Sequence, residues 1–594
     1  MSNKNIMIIL LVSLCLGIVG MGIAFKFGHG IKKVFLKAAV RVKHKIEGKA
    51  DLTRYNAVAP VAAQDGIAIF TASSLDRIFQ DGKTLLKPSF NTAVSISLAK
   101  NEYESFQVVV QSQSRAIDAV EVNISDLVNS QTGSEISKDN ISVRVVGYVP
   151  TEEPYYPVKF IGPWPDPLLP AHQADVEANT TQPFWVTVYA PPETIAGDYK
   201  GNVTVTADAK AIRTIPVSVH VYNFVLPKTS HLKTAFDFYG HITGSRYPQG
   251  EKEDNGAYKA RIDDLNDKYI ITMLKYRMNP ILNIDPTSQS ELSNVDRYLV
   301  YGLNNFSIGK KGGTFNNNWP KSDGSIEDLF SLYREYGEDL KLNDMLQYTY
   351  IYTWDEGDMG NPKVAKIASM VHRAYPGLKN MVCYHGIWDP ADGADWIKDI
   401  DIWTFQIDDF NEQKMRKLQA MGKEMWMYIS GPGGTDTPNL AIDFDSMDYR
   451  IIPWLCWKYN IKGFLYWCVN WWPYVDPFQN ASNTKWQQNG NGLLFYPGKD
   501  GPVVSLRMEI FRDGMEDYEY IQLLLEDLKI LKRKGLDKIF QQYFNESVKL
   551  LKIEDTFVAS MSQFTRDGEL LNGRRNAIAR QIEKFSSLQL PVTP

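Results

Sequence analysis

Two changes of periodicity along this 594-residue chain predict a multidomain protein. The expected architecture is an N-terminal antiparallel β-sandwich, a (β/α)8 TIM-like barrel and C-terminal helices. Between about residues 67 and 227 apolar side chains recur at every second position. After 227, short apolar runs alternate with stretches of helical spacing, as parallel βα units do. Beyond 505 only the helical period remains. A chain this long exceeds one hydrophobic core, and 44% hydrophobic with 22% charged residues is ordinary for folded domains.

The first stretch does not belong to the folded part. Residues 6–25 form an almost unbroken apolar run, about the length that crosses a bilayer. It reads as a signal anchor, or as a cleaved signal peptide with Gly22-Ile23-Ala24 as the small-x-small site. A lipoprotein signal fits less well, because Leu14 precedes Cys15 where a small residue is expected. Lys26, Lys32, Lys33, Lys37, Arg41, Lys43, Lys45 and Lys49 follow, against Glu47 alone. Ile31, Val34, Phe35, Ala38, Val42 and Ile46 recur there at helical spacing. The segment therefore reads as a membrane-surface helix or as a solvated spacer. The positive-inside rule puts these charges in the cytoplasm, whereas the function argued below places the folded part outside. Residues 1–30 are taken as the membrane element and 31–64 as the basic segment and linker.

The sandwich is expected over 65–227. Val203 and Val205, then Ile215, Val217, Val219 and Val221, alternate with polar or small residues as half-buried strands do. Ala190-Pro191-Pro192 and Ala196-Gly197-Asp198 mark turns. The Pro- and Tyr-rich stretch 148–170 is expected to be a long loop packing on the next domain. In the barrel, over 228–530, strands are expected at 234–239, 280–284, 304–308, 347–353, 380–384, 402–407, 425–429 and 463–468. The third of these is the weakest pattern. Helices are expected at 326–342, 362–374 and 449–459. A helix over 506–534 presents Leu523, Leu524, Leu525, Leu528, Ile530 and Leu531 for packing, and 531–594 is a helical extension.

Composition excludes some functions. A net charge of −5 gives no basis for nucleic-acid binding. Cys15, Cys383, Cys456 and Cys468 form no disulfide framework or CxxC pair, and eight scattered His offer no metal cluster, so neither metal nor cofactor is expected. The 12% aromatic content, with 14 Trp and 31 Tyr, suits the flat faces of sugar rings, although core packing accounts for most such residues.

Chemistry concentrates at Tyr350-Ile351-Tyr352-Thr353-Trp354-Asp355-Glu356-Gly357-Asp358. An aromatic, β-branched run ends in two carboxylates and a glycine, and the strand C-termini of such barrels form the active face. Glycoside cleavage needs a proton donor and a group that stabilises an oxocarbenium-like centre. Adjacent residues on a regular strand point to opposite faces, so two neighbouring carboxylates suit the usual separated pair poorly. They suit a substrate whose own 2-acetamido oxygen is the nucleophile. A surface loop is the alternative, since the chain holds 69 Asp and Glu.

Several motifs together resemble glycoside hydrolase family 123. They are Asn101-Glu102-Tyr103-Glu104-Ser105-Phe106-Gln107, Ala196-Gly197-Asp198-Tyr199-Lys200-Gly201, Asp355-Glu356, Gly463-Phe464-Leu465-Tyr466-Trp467, Gly492-Leu493-Leu494-Phe495-Tyr496-Pro497-Gly498 and Arg512-Asp513-Gly514-Met515-Glu516-Asp517-Tyr518-Glu519-Tyr520. The resemblance spans roughly residues 65–530. It implies β-N-acetylgalactosaminidase activity, a sandwich followed by a (β/α)8 barrel, and retaining, substrate-assisted hydrolysis. By position it makes Asp355 the residue that orients the acetamido group and Glu356 the general acid, then base. An acid must hold its proton at the working pH, so Glu356 is expected to titrate high through burial and the charge of Asp355.

Strand-end position adds substrate-binding candidates. Tyr428 is expected to bond the acetamido oxygen. Trp467, Trp471 and Trp472 are expected to wall the sugar, with Asn470 on a hydroxyl. Tyr384 and His385, Gln406 and Asp408, and Asp237 end three further strands. The charges of 512–519 read as structural. Two other readings stay open: a β-N-acetylhexosaminidase of different sugar specificity, and a non-catalytic, membrane-tethered glycan-binding protein. The expected partner is a glycolipid or glycoprotein oligosaccharide.

Overall fold

The computed structural model describes residues 56–57, 66–84, 92–207, 210–309, 314, 323–356, 362–387, 395–431, 436–472, 476–483 and 487–588. The apolar run 6–25 and the basic segment lie outside them. Among the described residues no helix is long and apolar enough to cross a membrane.

The N-terminal region is built of two sheets. One is antiparallel and runs Pro163–Leu169, Ile141–Pro150, Thr181–Ala190, Glu102–Ser112, Ile67–Ser73. The other runs Gln173–Val176, Ile117–Ile124, Gly197–Ala207, Lys210–Val225, Val94–Lys100. Val108, Val186, Val203, Val205, Ile215, Val217, Val219 and Val221 share one apolar core between them. The alternation in the sequence thus marks the buried faces correctly. One pairing departs from the antiparallel expectation, because Val94–Lys100 lies parallel to Lys210–Val225. Strands far apart in sequence need no hairpin and can pair in either direction.

The stretch expected as a long loop is shorter than its composition implies, since strands take up both its ends. What remains reaches the following domain. Tyr156 donates its hydroxyl to Asp443 at 2.9 Å, and Lys159 donates to Asp445 at 2.8 Å.

Seven parallel strands follow in one sheet: Lys233–Phe236, Gly463–Tyr466, Glu424–Ile429, Ile402–Gln406, Asn380–Tyr384, Thr349–Asp355, Phe306–Ser307. The segment expected as the second strand, 280–284, forms none. It makes one parallel bridge to each sheet edge, Phe236 with Pro280 and Ile284 with Ile308. Pro280 lacks a donor and Asn283 has φ of 50°, so a regular ladder cannot form there. The sheet is nearly barrel-like, with the third expected strand reduced to two residues.

Helices Asn255–Lys275, Gln289–Val300, Asp323–Leu342, Pro362–Ala374 and Glu412–Ala420 alternate with these strands. The expected helix over 449–459 is two, Ser446–Arg450 and Ile452–Tyr459. The C-terminal part is helical, comprising Leu506–Arg533, Gln541–Leu551 and Gly568–Ser586.

Candidate active site

The parallel strands alternate between two apolar layers. Ala235, Met381, Cys383, Ile402, Trp426, Tyr428 and Leu465 meet in one inner cluster. Phe236, Val382, Phe405, Met427 and Tyr466 pack in the larger cluster that includes the surrounding helices. Carried on by the same alternation, Asp237, His385 and Gln406 fall on the inner side at the C-terminal strand ends. Tyr384 falls on the other side and packs with the outer cluster, which corrects the expectation that it lines the pocket.

The strand Thr349–Asp355 breaks this rule where the chemistry sits. Tyr350 and Tyr352 belong to the inner cluster, so a regular strand would turn Trp354 inward and Asp355 outward. Trp354 packs outward instead. The register against Asn380–Tyr384 shifts between Tyr352 and Trp354, which makes Thr353 the extra residue of a bulge. Thr353 is fixed there by its hydroxyl, which donates to Asn380 Oδ1 at 2.9 Å. Asp355 returns to the inner side, where the Tyr352 hydroxyl donates to its Oδ1 at 2.7 Å. Glu356 then takes φ of 44°, a left-handed conformation that costs a non-glycine residue of order 1 kcal/mol. Its N–H stays on the ladder, donating to the Cys383 carbonyl at 2.9 Å. Bulge and left-handed residue together bring both carboxylates to one side.

Glu356 meets one partner from the adjacent strand end and one from a strand two further along the sheet. The Tyr428 hydroxyl donates to its Oε1 at 2.7 Å, and His385 Nε2 lies 3.2 Å from the same oxygen. On the other edge of the imidazole, Nδ1 is 3.6 Å from Asp409 Oδ2. Burial raises the Asp355 carboxyl above its usual range, and the charge of Glu356 adds to this while the Tyr352 hydroxyl opposes it. Desolvation pushes Asp237 up to about 7, with Asp355 adding and a hydrogen bond from Tyr239 opposing. Burial also drives the Tyr428 phenol well above its ordinary value, so it remains a donor.

Other expected residues are engaged elsewhere. Asn470 is fully buried, and its amide clamps the Tyr239 backbone, accepting at 2.9 Å and donating at 3.0 Å. Fully buried in that clamp, it presents no surface to a sugar. Trp472 is also fully buried and donates to the Phe495 carbonyl at 2.9 Å, so it belongs to the core. Asp408 is exposed and accepts from the Thr437 hydroxyl, and Gln406 donates to Ser430 Oγ at 3.0 Å. Trp467 stays half-buried, its indole donating to Asn491 Oδ1 at 2.9 Å, with Trp471 beside it at 5.6 Å between ring centroids.

Sequence reasoning missed Tyr352, Tyr239 and Asp409. The bulge hides the shared orientation of Tyr352 and Asp355, and nothing in Asp408-Asp409 tells which of the pair faces His385.

Comparison with known proteins agrees with this picture. Residues 81–207 match the glycoside hydrolase 123 N-terminal domain, and residues 294–524 match the glycoside hydrolase 123 catalytic domain. No curated protein matches by sequence. Among solved structures, a family 123 glycoside hydrolase from Clostridium perfringens, analysed for glycolipid glycan hydrolysis, is similar in fold at a TM-score of 0.66. It is 16% identical, over 88% of this chain and 98% of that one. A family 39 glycoside hydrolase from Bacteroides cellulosilyticus WH2 covers 72% of this chain and 82% of its own, at a TM-score of 0.33 and 10% identity. With both domain models of one family matched in order along most of the folded part, this chain belongs to glycoside hydrolase family 123 and is a glycoside hydrolase.

Proposed function

We propose that the protein is a retaining exo-β-N-acetylgalactosaminidase using substrate-assisted catalysis. One observation carries the reading: two consecutive carboxylates, Asp355 and Glu356, are turned to one side by a bulge and a left-handed residue. Consecutive residues leave little room for the separated acid and nucleophile of an ordinary retaining pair. They suit a substrate that supplies its own nucleophile.

In this mechanism the Asp355 carboxylate accepts the acetamido N–H and stabilises the positive charge that develops there. The acetamido oxygen bonds to C1 as the C1–O bond breaks, and Glu356 gives its proton to the leaving oxygen. Glu356 then takes a proton from the water that attacks C1, reopening the ring and restoring the acid. Trp467 stands where a sugar face can stack. The fold reading that accompanies this takes segment 280–284 as the second strand position, which closes a (β/α)8 barrel whose active face is the C-terminal one. The substrate class is a glycolipid or glycoprotein glycan, and the folded part is placed outside the cytoplasm, secreted or membrane-anchored.

The test is hydrolysis of paired aryl β-N-acetylgalactosaminide and β-N-acetylglucosaminide substrates with and without a thiazoline inhibitor, which mimics the cyclised intermediate. Cleavage of the galactosaminide, blocked by the thiazoline, is expected. Cleavage that the thiazoline leaves untouched overturns substrate assistance, and preference for the glucosaminide overturns the sugar assignment.

A further inference from the structure

We propose that Asp409, His385 and Glu356 form a carboxylate–imidazole–carboxylate relay in which His385 and Asp409 are positioning residues for the catalytic acid, not sugar ligands. The proposal rests on the reading of Glu356 as the acid.

Geometry singles out this imidazole. Its Nε2 is 3.2 Å from Glu356 Oε1, and its Nδ1 is 3.6 Å from Asp409 Oδ2, an ion-pair separation. The side chain is only 16% exposed, so little of it is left for a ligand. The three residues come from three neighbouring strand ends: Glu356 follows Thr349–Asp355, His385 follows Asn380–Tyr384, and Asp409 lies in the 3-10 turn Ile407–Asp409. The titratable groups facing His385 include Glu356, Asp409, Asp355 and Tyr428, whose hydroxyl is 3.5 Å from Nδ1. Asp409 beside Nδ1, and the Glu356 carboxylate beside Nε2 once its proton has been given up, favour the form in which both nitrogens carry protons and donate.

The consequence falls on one oxygen. Tyr428 donates to Oε1 of Glu356, the same atom His385 approaches. Both contacts fall on the carboxyl group that gives its proton to the leaving group. His385 keeps its own proton throughout and stabilises the carboxylate left after transfer. Asp409 acts through His385 by holding the imidazolium charge in place. Removing that charge lets Glu356 keep its proton to higher pH and makes it a weaker acid.

The test uses Asp409→Asn, His385→Gln and Glu356→Gln in the full chain. In 15N-histidine NMR, His385→Gln identifies the signal. The wild type is expected to show both ring nitrogens protonated at the assay pH. Asp409→Asn should shift that resonance towards the neutral form, and Glu356→Gln should change its position by altering the contact at Nε2. In kinetics, Asp409→Asn should move the alkaline limb of kcat/KM up by about half a pH unit or more. It should lower kcat about tenfold on a poor aryl leaving group, with KM unchanged. A higher KM with an unmoved limb makes His385 a sugar ligand and overturns the proposal, as does an NMR signal indifferent to Asp409→Asn and Glu356→Gln. If Glu356→Gln keeps near-normal turnover, the acid assignment fails instead, and the NMR arm still decides whether the three residues are coupled.

Discussion

The strand ends around Glu356 and the face of the helix Leu506–Arg533 are both crowded with carboxylates, yet they treat charge in opposite ways. In and against the helix several buried carboxylates are gripped by guanidinium groups. Arg507 grips Asp166 through two bonds of 2.9 and 2.8 Å, and Arg450 grips Asp517 at 2.8 and 3.0 Å. Arg144 reaches Glu509 at 3.2 Å, and Arg575 lies 2.5 Å from Glu104. These residues are buried apart from Arg144, which is partly exposed. At the strand ends Asp237, Asp355, Glu356 and Asp409 face His385, Tyr352, Tyr428 and Tyr239, with no arginine among those partners. Bidentate pairs such as Arg507–Asp166 and Arg450–Asp517 fix one arrangement of the chain. At the strand ends burial pushes Asp237 up to about 7 and raises Asp355, the kind of shift acid-base chemistry uses.

Substitutions at the two places should therefore fail differently. The largest effect is expected from Glu356→Gln, which should cut turnover on a poor leaving group by about 10²–10⁴-fold while changing stability by about 0.5 kcal/mol or less. Near-normal turnover breaks the assignment. Arg507→Met is the converse. It leaves Asp166 with only the Tyr496 hydroxyl and the more distant Arg77, and strands three carbonyls, of Leu440, Gly490 and Leu493, that the guanidinium now serves. It should destabilise the fold by about 3–5 kcal/mol, read as a lower urea midpoint. A loss below about 1 kcal/mol would show the pair to be dispensable.

A smaller effect tests how the two regions join. Gly492 has φ of 75°, and a Cβ there would lie 2.3 Å from the Trp467 ring. Gly492→Ala should displace Trp467, raising KM more than it lowers kcat and costing about 1–3 kcal/mol. An unchanged KM removes Trp467 from the substrate's surroundings.

The smallest effect is a pH slope. Asp237 titrates at about 7 in the folded protein against an ordinary 3.8, so folding favours its protonated form. The stability it contributes is fully present below 3.8 and is lost as pH rises through about 7. Asp237→Asn should therefore lose less stability than the wild type between those limits, measured as denaturation midpoints at each pH. Parallel losses in the two proteins would show that Asp237 does not titrate there. Glu102 at about 8 and Glu516 at about 7 shift the same way, and they cancel in the comparison.

Much of this was legible before the structure, for reasons particular residues make plain. Val217, Val219 and Val221 announce their strand because burial on one face imposes a period of two. The 512–519 charges read as structural, and all eight of those positions are buried within the long helix. Asp355 and Glu356 stood out because a strand ending in charge is unusual. Asn470 and Trp472 misled, because a polar or aromatic residue just past a strand reads the same whether it faces a ligand or clamps the Tyr239 backbone. Tyr384 misled because its strand's inward parity depends on neighbours it does not name.

The sequence by itself determined the order of the regions, the strand and helix periods, and the adjacency of two carboxylates at a strand end. These are local properties, set by how a side chain meets solvent within a few residues. Only the tertiary structure decided that both carboxylates face one way, because that needed the extra residue at Thr353 against a partner strand and a left-handed Glu356. It alone chose Asp409 over Asp408 and Tyr352 over Tyr384 as partners. Such choices depend on distances between strand ends far apart in the chain, and no local pattern records them.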